Sequence, residues 1–183
     1  MRVITGTARG RRLQTPEGMD TRPTGEKVKE ALFSAIQFEI QNKSVLDLFA
    51  GSGQLGIEAL SRGASRCVFI DKDRAAADIV KMNTESTGFK SRSLISSMDA
   101  VMFLRYAKEE FDIIFLDPPY KKNIINDIEK DVERVINPRS IVVCETSAKE
   151  ELPENYASLP LSFDRRYGET RLRIYRNAEK DIY

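Results

Sequence analysis

The residues best placed to do chemistry lie in the stretch FDIIFLDPPY, Phe111 to Tyr120. Phe111, Ile113, Ile114, Phe115 and Leu116 form a nearly continuous apolar run, the pattern of a strand covered on both faces. Pro118 and Pro119 stop that strand, since proline has no amide hydrogen and a fixed φ. Asp117 is thereby left at the carboxyl end, with Tyr120 just beyond a stiff diproline. The lone pair of an exocyclic amino group on a nucleobase is delocalised into the ring, which makes that nitrogen a poor nucleophile. A carboxylate at Asp117 and the carbonyl of Pro118 would each accept one amino hydrogen and localise that lone pair. They would also stabilise the charge growing on nitrogen as it attacks a methyl sulfonium. Tyr120 would stack on the extruded base, a contact worth roughly 1–3 kcal/mol. The plainer alternative is a strand closed by a rigid turn in which Asp117 bonds only the local backbone.

A second group of residues follows an earlier strand, Val45 to Phe49, where AGSGQLGIEAL leads into a helix. Gly51, Gly53 and Gly56 spell G-x-G-x-x-G, and Asp71, twenty residues beyond Gly51, ends the next strand at Arg66 to Ile70. Asp99 follows a third strand at Ser91 to Ser96. Asp47, Asp71, Asp99 and Asp117 therefore each fall at or just past the carboxyl end of a successive strand, the edge where open α/β sheets bind ligands. A row of acids suits a cation with amine and hydroxyl donors rather than a phosphate-rich ligand. S-adenosylmethionine has that character, and the glycines would let backbone approach its methionine portion and ribose. A nicotinamide dehydrogenase fits less well. Its first strand runs apolar into the first glycine, whereas Asp47 intrudes here, and it leaves DPPY without a role.

The elements that position these residues are legible in outline. Residues 2–5 and 11–15 read as a hairpin around Gly6 and Gly10 that displays Arg9, Arg11 and Arg12, and Pro16 to Pro23 reads as a loop. Thr24 is a candidate N-cap, and Val28, Ala31, Leu32, Ala35 and Ile36 predict an amphipathic helix over 25–40. Helices are expected over 73–87, 99–108 and 123–136, a strand over 140–145, and closing strands near 158–166 and 170–176 with a turn at Tyr167-Gly168. Strand–helix alternation over 44–146 implies a Rossmann-like, doubly wound α/β fold: a seven-stranded, mostly parallel sheet with a C-terminal antiparallel pair. The 183 residues read as a single domain, with 1–23 a basic extension, 24–40 a lead-in helix and 44–183 the core.

Composition narrows the chemistry further. Hydrophobic residues at 41% and charged residues at 31% describe a globular chain, and no apolar run approaches membrane-spanning length, so a cytoplasmic protein is expected. There is no histidine, which excludes Ser-His and Cys-His nucleophile pairs and histidine metal sites. Cys67 and Cys144 both fall in strands and read as buried free thiols, and no metal site is expected. The net charge of +1 is unevenly spread. Residues 1–29 hold seven Lys/Arg against three acids, and 163–176 hold five arginines against two acids, a distribution suited to a polyanion partner.

Together these stretches resemble class I S-adenosylmethionine-dependent methyltransferases. More narrowly they resemble the bacterial RsmD family, which methylates the N2 amino group of a guanine in small-subunit (16S) ribosomal RNA. MRVITGTARGRRL, TRPTGEKVKEALF, VLDLFAGSGQLGIEALSRGA, FIDKD, DPPY and YGETRLRIYR carry the resemblance nearly end to end. It implies a metal-free enzyme that turns S-adenosylmethionine into S-adenosylhomocysteine. The partner would be ribosomal RNA, in the small subunit or its assembly intermediate, and the protein a monomer. Asp47, Phe49, Ala50, Gly51 and Gly53 would line the methionine end of the cofactor. Asp71 with Lys72 would meet the ribose, and Met98, Asp99 and Ala100 the adenine. Asp117, Pro118, Pro119 and Tyr120 would hold the target base. Arg22 and Thr24 would lie beside that pocket, with Arg9, Arg11 and Arg12 on the RNA backbone. The chain departs from the family in having Gly25-Glu26 after RPT and in having no tryptophan, where many members carry one or another large residue near Ala8. An adenine-N6 methyltransferase or a non-catalytic RNA-binding module of the same fold are the rival readings.

Overall fold

A computed structural model describes residues 1–15, 23–119 and 123–178, with backbone alone at Pro23 and Thr24. Its strands are β1 (Ser44–Asp47), β2 (Arg66–Asp71), β3 (Ser93–Ser97), β4 (Ile113–Leu116), β5 (Ile141–Ser147), β6 (Asn155–Tyr156), β7 (Leu159–Tyr167) and β8 (Thr170–Tyr175). Helices α1 (Pro23–Ala35), α2 (Gln54–Ser61), α3 (Arg74–Thr87), α4 (Ala100–Tyr106), α5 (Ile124–Asp127) and α6 (Glu129–Val132) connect or flank them. The sheet order is β3-β2-β1-β4-β5-β8-β7-β6. β1 to β5 pair in parallel and β8, β7 and β6 antiparallel.

Alternation along the strands builds two cores. Val45, Phe69, Ile113, Phe115, Val143, Leu172 and Ile174 turn to the face covered by α1, α2 and α3. Leu46, Val68, Ile70, Ile114, Leu116, Val142 and Tyr175 turn to the face covered by α4, α5 and α6. α1 docks through Leu32 and Phe33, with Ile36 just past its end, all fully buried, and Phe33 edge-on to Phe115 at 5.7 Å between ring centroids. Each such side chain contributes about 1.5–3 kcal/mol of burial, enough in sum for the sheet to carry several enclosed acids on its rim. Cys67 and Cys144 are buried free thiols, as expected.

Several elements differ from expectation. The seven strands are joined by an eighth, β6, which makes a two-residue hairpin with β7 through Ala157 and Ser158 at φ 48° and 65°. With neither Gly nor Asn in that turn, the sequence carries no hairpin signal. The helix expected over 25–40 stops at Ala35 and begins at Pro23, so Thr24 lies inside its first turn instead of capping it. Ile40 is still buried although the chain has left the helix through i→i+3 turns. The helix expected over 123–136 is broken into α5, α6 and a 3₁₀ turn at Glu133–Val135, with Ile128 at φ −96°, ψ 0° between the two helices. Ile125, Ile128, Val132 and Val135 are all buried, so the apolar spacing reported burial correctly but not backbone continuity. The N-terminal hairpin is reduced to one antiparallel bridge, Arg2 to Arg12, and the loop expected at Pro16 to Pro23 lies almost wholly outside the described residues.

Candidate active site

The strand order reverses between β1 and β4, so their carboxyl ends open the crevice in which doubly wound sheets bind ligands. Both chemical stretches emerge there. The glycine turn leaves β1, the Asp-Pro-Pro segment leaves β4, and Leu48 N–H donates to the Phe115 carbonyl at 3.2 Å between the two exits.

Backbone geometry explains the glycine turn. Gly51 and Gly53 have φ of 54° and 76°, and a Cβ at Gly51 would meet no atom of the described residues within 4 Å, which leaves the peptide there open to a ligand. Gly56 has a different function. A Cβ there would stand 2.3 Å from the Phe69 ring and 2.6 Å from the Cys67 sulfur, so glycine permits α2 to pack on β2.

The acids around this turn bond to the protein's own amides. Asp47, 2% exposed, reaches under the turn, where its Oδ2 accepts from Gly56 N–H at 3.0 Å. Burial, with Asp117 and Asp71 adding to it, pushes the Asp47 carboxyl up to about 7 against the lowering effect of Gly56. Asp71 Oδ2 accepts from Gly51 N–H and its Oδ1 from Asp73 N–H, both at 2.9 Å. Asp99 Oδ1 caps α4 through Val101 N–H and Met102 N–H at 3.0 and 3.1 Å. Ala50 N–H bonds the Ile70 carbonyl and Met98 N–H the Asp71 carbonyl, which draws the β2 and β3 exits to the same rim. Phe49 is half-buried, Ala100 buried, and Lys72 and Met98 exposed.

The end of β4 is different. Asp117 is half-buried and Pro118 buried, yet among the described residues neither the Asp117 carboxyl nor the Pro118 carbonyl has a hydrogen-bond partner. Burial pushes the Asp117 carboxyl up to about 7. Pro119 is exposed, and Tyr120 lies outside the described residues.

The basic extension is pinned beside the glycine turn by residues the sequence did not single out. Glu58, fully buried, accepts from Ile4 N–H and Thr5 N–H at 2.7 and 2.9 Å and pairs with Lys29 and Arg62. Ser61 Oγ accepts from Ala8 N–H and donates to the Thr5 carbonyl. Asn83 exchanges hydrogen bonds with Gln14 and donates to the Ser52 carbonyl at 2.8 Å, so it ties the segment to the turn. Ala8 is buried in the core. Arg9, Arg11 and Arg12 stay exposed, with no ion pair among the described residues. Arg22 and the Thr24 side chain lie outside the described residues. A lone acid among the apolar residues of LGIEALS was the available signal for Glu58.

Comparison with known proteins agrees with this layout. The family described as Conserved hypothetical protein 95 matches residues 1–176. The chain belongs to that family. It is 39% identical to YlbH of Bacillus subtilis, a protein named for rRNA methylation, over 96% of this chain and 98% of that one. Ribosomal RNA small subunit methyltransferase D of Haemophilus influenzae is 33% identical over 97% of this chain and 94% of its own length. The solved structure of yhhF from Escherichia coli, named as a methyltransferase, superposes with a TM-score of 0.85 at 30% identity, covering 98% of this chain and 99% of that one. The Rossmann-like methyltransferase fold expected of the family is thus the fold of this member.

Proposed function

We propose that this chain methylates the exocyclic N2 amino group of a guanine in small-subunit ribosomal RNA. At the coarser level it is an S-adenosylmethionine-dependent rRNA methyltransferase of its family. The observation that carries the finer reading is the convergence, at one switch point, of an open glycine turn with an Asp117–Pro118 pair that has no partner among the described residues.

The residues present fit the cofactor. Gly51 leaves its peptide face open, and Asp71 spends only two of its roughly four lone-pair sites on backbone, so acceptors remain for ribose hydroxyls. Asp47 would keep the turn in shape and Phe49, Ala50 and Gly53 would line the methionine end, while Lys72, Met98, Asp99 and Ala100 would flank ribose and adenine. Bound there, S-adenosylmethionine supplies a methyl group on a positively charged sulfur and leaves as S-adenosylhomocysteine.

The protein's part is to hold and activate the acceptor. Asp117 and the Pro118 carbonyl each accept one amino hydrogen, localise the nitrogen lone pair and stabilise the charge it acquires. Asp117, raised toward 7 by its enclosure, then takes the proton that the methylated nitrogen sheds and passes it to solvent. Pro119 stiffens the turn and Tyr120 stacks on the base. Arg9, Arg11, Arg12, Arg22 and Thr24 track the RNA. The protein works as a cytoplasmic, single-domain monomer on the small subunit or its assembly intermediate.

Incubation with labelled S-adenosylmethionine and small ribosomal subunits or their RNA, followed by digestion to nucleosides, tests the reading. Label in N2-methylguanosine is expected. Label in N6-methyladenosine, or none, overturns it.

A further inference from the structure

A second acid stands beside Asp117, and no motif points to it. β4 and β5 pair in register up to Leu116 opposite Cys144, so the next rung sets Asp117 next to Glu145. Alternation turns both toward the face of Phe115 and Val143, at the mouth of the same crevice. β8 holds Glu145 from its other side, opposite Leu172. The neighbouring arginines of β8 are engaged elsewhere, Arg171 with Asp164 and Arg173 with Asp164, Glu151 and the Glu150 carbonyl. Among the described residues the Glu145 carboxyl, half-buried, has no hydrogen-bond or ion-pair partner. An acid half-buried just past the last β4–β5 rung, with no partner for its carboxyl, is costly unless a ligand completes it.

We propose that Glu145 selects guanine, pairing its carboxyl with the N1–H and O6 of the acceptor base while Asp117 and Pro118 hold the N2 amino group. The inference rests on the reading of guanine N2 as the acceptor. Guanine is the base that carries, beside its amino group, a ring N–H and then a carbonyl along the Watson–Crick edge. Adenine and cytosine place a ring lone pair next to theirs. Burial and the neighbouring Asp117 push the Glu145 carboxyl up, toward the protonated form that offers one acceptor and one donor, the complement of N1–H and O6. Adjacent strands are about 4.8 Å apart, comparable to the span from N2 to O6 across a guanine.

The experiment uses RNA ligated with either guanine or 2-aminopurine at the target position that nucleoside mapping identifies. 2-Aminopurine keeps the methyl-accepting amino group but has a lone pair at N1 and no O6. The wild-type protein should prefer guanine by about 10–100-fold in kcat/KM. Glu145→Gln, whose amide also offers one donor and one acceptor, should keep that preference. Glu145→Leu should collapse it to within about threefold with S-adenosylmethionine affinity unchanged, and Glu145→Ala gives the same readout should the leucine variant misfold. A leucine or alanine variant that retains the wild-type preference overturns the assignment of Glu145. Failure of the wild-type protein to make N2-methylguanosine instead overturns the underlying reading.

Discussion

The two exits from the sheet at the switch point carry the same residue type in opposite states. Around the β1 exit, Asp47, Asp71 and Asp99 are bonded to amides of Gly56, Gly51, Asp73, Val101 and Met102. At the β4 and β5 exits, Asp117 and Glu145 have no such partner among the described residues, and burial raises both. A carboxylate bonded to backbone shapes a loop, and its removal is felt in the loop. An enclosed carboxyl without a partner stabilises nothing in the free protein and is available to a substrate. On the function proposed above, the cofactor side would thus be preorganised by the protein's own amides and the acceptor side completed by the base.

The difference can be broken most severely at Asp117. Asp117→Ala should lower methyl transfer by at least ~10³-fold while S-adenosylmethionine affinity, measured by calorimetry, changes less than about threefold. A large loss of cofactor affinity would place Asp117 on the wrong side of the comparison. Asp71→Ala should show the reverse pattern. It frees the Gly51 and Asp73 amides and removes an acceptor for ribose, so cofactor affinity should weaken by about 10–100-fold, the equivalent of one or two charge-assisted hydrogen bonds. Turnover at saturating cofactor should fall much less.

The smallest effect is on stability against pH. Ordinary carboxyls titrate near 4, whereas Asp47 and Asp117 are raised to about 7. Between those values the folded state binds more protons than the unfolded chain, so stability is full at the acid end and declines as pH rises through 7. The melting temperature should fall by a few degrees from about pH 5 to pH 8. Asp117→Asn should flatten part of that decline and melt above the wild type at pH 8. A melting temperature that rises over this range would show that the acids are not enclosed as described.

Much of this arrangement was legible beforehand. Pro118 and Pro119 ended β4 where expected, and Asp73 and Asp99 sit where α3 and α4 begin. Gly51, Gly53 and Gly56 marked the turn, although the packing of Gly56 on Phe69 becomes visible only in three dimensions. Glu145 was missed despite ending SIVVCE as Asp117 ends FDIIFLD, because no proline or aromatic sets it apart locally. The break at Ile128 and the Ala157-Ser158 turn were missed because apolar spacing survives a change of backbone path and because neither turn residue is Gly or Asn.

By itself the sequence determined the strand and helix periods, the positive-φ turn and the acids at strand ends, since each depends on residues within a few positions of one another. The tertiary structure alone decided which acids are bonded to backbone amides and which have no such bond among the described residues. That depends on strand order and register, which set Asp117 beside Glu145 across 28 residues of chain and bring Asp71 to Gly51 from the neighbouring strand. Such pairings follow from how the sheet is assembled, and no local spacing encodes them.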